Sequence, residues 1–272
     1  MIAASHLKAS SRGLRIRPIA LPVEHGGWGL LFEPMALGLL LAPSLAGLFL
    51  SVGAVGAFLA RHPFKLAIGD WRRGRPIPRT ALAECFAILY VCLATLCLAL
   101  AIKTAGVSFL LPLLLALPAA MVQLSYDAMG RSRALMAELA GSISIGAVAA
   151  AIAIAGGWPR PAGLGLWVIL AARTVPTILY LRARLRLLHR QPASPRVVII
   201  MHLLAILMVL GLARAGVVPR LTVAALVILF LRAMIGFSKS GKRVTAKKLG
   251  LWELGFGAVT VLAVVLGHVV GW

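Results

Sequence analysis

Apolar runs about as long as a bilayer is thick recur along this chain from residue 27 to residue 270. That recurrence decides the fold class. A helix needs about 20 apolar residues to cross a hydrocarbon core of roughly 30 Å. No backbone N–H or C=O can go unpaired in lipid, so a spanning segment is a helix or part of a closed barrel. A barrel strand would alternate apolar and polar residues, and these runs do not. The expectation is an all-α, polytopic transmembrane helical bundle of about nine helices. They fall at 27–48, 50–68, 81–102, 106–126, 134–156, 163–182, 197–214, 219–237 and 249–270. Residues 1–22 read as a basic cytoplasmic tail, and 23–272 as one transmembrane domain. Hydrophobic residues make up 61% of the chain, against about 45–50% in a soluble domain.

The formal charge is +21, from 28 Lys and Arg against 7 Asp and Glu. Such a charge can serve nucleic-acid binding. Here the basic residues sit in short loops between spans, where the positive-inside rule accounts for them. Basic loops carrying Arg61 to Arg79, Arg131 and Arg133, Arg182 to Arg196, and Lys239 to Lys248 alternate with charge-poor ones. The alternation predicts a cytoplasmic N-terminus, an extracytoplasmic C-terminus and a multi-pass protein of the cell (plasma) membrane, with no nucleic-acid partner. Cys85, Cys92 and Cys97 share one apolar run and lack metal-ligand spacing. They read as small packing residues.

The seven carboxylates are Glu24, Glu33, Asp70, Glu84, Asp127, Glu138 and Glu253. By this topology all lie at or within a few turns of the cytoplasmic face. Ionisable groups at membrane depth are costly and need a partner or a function. His25 and Glu33 flank a glycine-rich helix start, where His25 suits acid–base work; the plainer alternative is an interfacial cap. His62, Lys65, Asp70 and Arg73 form a basic segment that suits phosphate oxygens, or simply lipid headgroups. Tyr126, Asp127, Arg133 and Glu138 form a third group, with a buried Glu–Arg pair as its structural alternative. Arg173, Thr177, Tyr180 and Arg184 follow i, i+4, i+7, i+11 and so share one helical stripe. Arg182 points elsewhere on that helix. Arg173 needs either an acid, Glu33 or Glu138, or an anionic ligand. Glu253 stands near the start of the last span. No metal site is expected, and no cofactor is indicated.

Leu21 to Trp28, Arg61-His62-Pro63, the Arg173–Arg186 helix and Glu253 together resemble the YwiC-like family of bacterial membrane proteins. The helix number and orientation are also similar to UbiA-type intramembrane prenyltransferases, and Tyr126–Gly141 looks like the segment entering their fifth helix. That resemblance implies a UbiA-like bundle. It also implies two Asp-rich Mg²⁺ motifs, which this chain lacks: Asp70 stands alone, with arginines where the other acids would be. The expectation is a cytoplasmic-facing basic cavity for an anionic isoprenoid or membrane lipid, in a divergent, prenyltransferase-like enzyme. Arg73, Arg133, Arg173, Arg182 and Arg184 would take the anionic head. His25, Glu33 and Glu138 would act as acid–base or orienting groups. The alternatives are a transporter using Glu33, Glu138 and Arg173, and a non-catalytic component of a larger membrane complex.

Overall fold

The computed structural model describes residues 16–21, 25–74, 78–238 and 245–271, leaving aside the side chains of residues 25, 26, 246 and 247. Among the described residues the chain is helical throughout. A single turn, α1 (Arg17–Ala20), precedes nine longer helices: α2 (His25–Leu41), α3 (Leu45–Arg72), α4 (Pro78–Ala105), α5 (Leu110–Ala128), α6 (Leu135–Ala155), α7 (Arg160–Leu188), α8 (Arg196–Arg214), α9 (Leu221–Ser238) and α10 (Ala246–Val270). Eight are long and apolar enough to cross a membrane, and α2 is shorter. This is a multi-pass helical bundle.

Several boundaries differ from the sequence expectation, and two have a plain cause. The first long helix stops at Leu41, not residue 48. Pro43 disfavours helical backbone at Ala42, and Ser44 caps the next helix by accepting from the Gly47 N–H at 3.0 Å. The second difference is at the other end of α3. The second span is expected to end at residue 68, with the charges from Arg61 onward counted to the loop, yet the helix carries them and runs on to Arg72. Charge marks where lipid ends, not where helix ends, because Arg and Lys are good helix formers. At 28 residues α3 is about 42 Å long, so part of it projects beyond the hydrocarbon. Residues 17–20 of the expected tail fold against this projection. Ile19 packs on Ala67 and Ala83, and the Pro18 carbonyl lies 3.0 Å from His62 Nε2.

Helix α6 sits at the centre, touching α2, α3, α5 and α7. Its buried face is almost all alanine and glycine, which lets helix backbones approach closely. Helix α7 touches α6, α8, α9 and α10, and α10 returns to α2. Of the three cysteines only Cys97 is buried. Cys85 and Cys92 are exposed on α4, so the packing role expected of them does not hold.

The bundle is divided along its length. The C-terminal ends of α3, α5, α7 and α9 lie at one end, with loops 129–134 and 189–195; this is the basic end. Toward the opposite end the interior is apolar, built from Leu37, Leu166, Leu170, Val209, Leu226 and Val264. Reporter fusions test the orientation. A reporter inserted at Lys242 should read cytosol, and one at Gly157 the opposite side. The same reading from both would break the alternation of basic and charge-poor loops.

Candidate functional site

The polar interior begins where the apolar half ends. Glu33 on α2 and Arg173 on α7 are both buried and paired at 2.8 Å. Arg173 also donates from Nη2 to the Glu253 carbonyl oxygen at 2.9 Å. Gly257 gives this pair its room: a methyl there would stand 3.0 Å from Arg173 Nη2 and Glu33 Oε2, tighter than ordinary contact. Arg173 therefore takes Glu33, one of the two acids the sequence offered.

One layer nearer the basic end, Glu253 pairs with Arg232 of α9. Arg232 was missed by sequence reasoning. The signal was available: an arginine within the apolar run 221–235 needs a partner for the same reason as Arg173. Its guanidinium lies between two rings, 4.4 Å from the centroid of Tyr180 and 5.0 Å from that of Phe256. Tyr180 also meets Phe237 edge-on. Gly236 leaves room for the Tyr180 hydroxyl against α9.

The stripe anticipated on α7 is present: Arg173, Thr177, Tyr180 and Arg184 are all buried. Arg182 leaves that face and reaches α6, where it donates to Glu138 at 2.8 Å and to the Arg133 carbonyl at 3.0 Å. Glu138 is half-buried in this pair.

The remaining carboxylates are engaged at the basic end. Asp127 is fully buried and receives the Arg61 guanidinium on both oxygens. Asp70 is buried and receives Arg79 and the Thr80 hydroxyl. Glu84 accepts from the Trp71 indole. Arg73 and Arg133 are exposed, and the Tyr126 carbonyl closes the turn at Arg131. An open depression of about 440 Å³ is lined by Lys65, Arg131, Ser132 and Arg133. His25 starts α2, but its side chain lies outside the described residues, as does Glu24.

The expected head-binding arginines thus separate into three places. Arg173 and Arg184 lie on the buried face of α7, Arg182 on its α6 side, and Arg73 and Arg133 at the surface. Arg184 stands apart in another way. It is 3% exposed, yet among the described residues it has neither a carboxylate nor a hydrogen-bond partner. The described acids are all committed elsewhere. His202 of α8 is also buried, with Nδ1 at 2.8 Å from the Val198 carbonyl and Nε2 unbonded. Among the described residues no three His, Cys, Asp or Glu side chains converge as metal ligands.

No curated protein and no solved structure matches the chain. The family model described as YwiC-like protein matches residues 21–153. That stretch includes Glu33, Asp70, Asp127 and Glu138, and it ends within α6. The polar groups of α7 to α10 lie beyond it. Over residues 21–153, just under half of its length, the chain is similar to the YwiC-like family.

Proposed function

We propose that this YwiC-like multi-pass protein holds an anionic lipid or isoprenoid head in a one-sided site between α7, α9 and α10. Catalysis at that site would be prenyltransferase-like, without the Asp-rich metal motifs. The observation that carries the reading is Arg184. A buried guanidinium without an anion is expensive, and among the described residues no protein anion serves it. The division of the interior supports a lipid ligand over a transported one. Polar side chains run along α7 from Arg173 to Arg184, and beyond Arg173 the core is apolar. A transport path would need polar or open ground on both sides of that point. The plasma membrane is the compartment the basic loops favour.

The test is mass spectrometry of lipids retained on gently purified protein. Wild type should carry an acidic lipid. Arg184→Met should lose it by more than about tenfold, since removing one partner of a buried charge pair costs 2–5 kcal/mol. Arg184→Lys, which keeps charge but not the planar fork, should fall between. Equal retention in Arg184→Met would refute the reading. So would a wild type without lipid whose stability drops equally in Glu24→Gln and Arg184→Met, because Glu24 would then be the missing anion.

A further inference from the structure

The charges around Tyr180 do not balance. Arg232 lies over its ring. Arg184 is four residues further along α7, on the same face, and acts on the Tyr180 phenol electrostatically, as Arg232 does. Arg232 therefore stands over the phenol and Arg184 one turn further along the same buried face, with Glu253 as the only carboxylate paired to either among the described residues.

The pairing also leaves a particular edge free. Glu253 Oε1 takes Nη1 of Arg232. The Nε and Nη2 atoms of Arg232 are buried and donate to nothing among the described residues. Those two N–H groups form the side-on edge of a guanidinium, which suits two oxygens of one anion. Arg184 Nε is buried and unbonded as well. The Tyr180 hydroxyl makes no hydrogen bond among the described residues. A carboxylate has two oxygens in a plane and would be used up by one fork. A phosphate has three acceptor oxygens arranged tetrahedrally. Donors arriving from α7 and α9 suit the second shape.

We infer that Arg184, Arg232 and Tyr180 form a metal-independent clamp for the phosphate group of a lipid phosphate, with Glu253 holding Arg232 in position and opposing the bound charge. The inference rests on the anionic-ligand reading above and adds the head-group chemistry and the residues that select it. Arg232 would give its free edge to two phosphate oxygens. Arg184 and the Tyr180 hydroxyl would take the rest. Glu253 lowers the net charge of the site by one, so the clamp would hold its ligand less tightly than two arginines alone.

The probes are nanodiscs of phosphatidylcholine with either phosphatidic acid or oleate, and inorganic phosphate added to detergent-purified protein. Wild type should retain phosphatidic acid well above oleate. Arg232→Lys and Tyr180→Phe should each reduce phosphatidic acid retention by several-fold and leave oleate little changed. Glu253→Gln should raise retention, because its amide oxygen can still accept from Nη1 while the negative charge is gone. If Arg232→Lys and Tyr180→Phe retain wild-type amounts while Arg184→Met loses the lipid, the clamp is wrong and the anionic-ligand reading stands. If wild type retains neither phosphatidic acid nor oleate, both are wrong. If inorganic phosphate raises the melting temperature as much as phosphatidic acid does, the ligand is free phosphate and the lipid assignment fails. Where Arg232→Lys does not fold, Tyr180→Phe and Glu253→Gln decide.

Discussion

Arg173→Met should destabilise the folded protein by about 3–5 kcal/mol, the usual cost of leaving one member of a buried ion pair alone. Glu33 has a side chain only 8% exposed, and Arg173 is its ion-pair partner among the described residues. Removing the guanidinium strands that carboxylate and also frees the Glu253 carbonyl. Glu33→Gln should be milder, because its amide oxygen can still accept from Arg173. The informative variant is the double one. Glu33→Leu with Arg173→Met removes both charges, and such replacements are often neutral or stabilising by 1–4 kcal/mol. Denaturation by SDS in mixed micelles would measure all of these. A double variant as unstable as Arg173→Met alone would mean that the pair is not what makes Arg173 necessary.

The helical bundle was legible in the sequence because bilayer spans announce themselves by length and composition. The stripe on α7 was legible because four polar residues at helical spacing in an apolar run have one geometric reading. Partner choice was not. Arg173 is 140 positions from Glu33, and Arg61 is 66 from Asp127; nothing local in the sequence joins them. The basic segment after the second span illustrates a different limit. Arg61 and Arg79 were grouped with Arg73 as loop charges. The first two are structural, each closing on a buried aspartate, whereas Arg73 is exposed. Composition cannot separate these roles, since the difference lies in which helix stands opposite.

Arg232 shows the cost of a bookkeeping rule. Assigning charges to loops leaves out a charge that sits inside a span, although that is where a charge says most. Once Arg232 is included, the interior has two ion pairs in successive layers, Glu33–Arg173 and Arg232–Glu253, with Arg184 beyond them. The sequence places Glu253 near the start of the last span, where a solvated interfacial acid and a ligand-binding one are both open readings. The structure buries most of its side chain against α9, and its backbone carbonyl serves Arg173 as well.

Gly236→Ala should disable this site from a position that carries no polar side chain. A methyl group at Gly236 would overlap the Tyr180 hydroxyl and crowd the ring behind it. Tyr180 has little room to retreat. It is 3% exposed, packs edge-on against Phe237, and has Arg232 over its face. Overpacking of this kind costs about 1–3 kcal/mol. Here it should also shift Arg232 and lower lipid retention with the same change. Tyr180→Phe supplies the check. It removes the hydroxyl, the atom nearest the new methyl, while the ring carbons stay close, so it should restore part of the lost stability in the Gly236→Ala background. It should not restore retention, because the phenolic donor is gone. Stability regained with retention still low would separate the packing role of Gly236 from the donor role of Tyr180. Both recovering together would mean that the hydroxyl serves only to fill space.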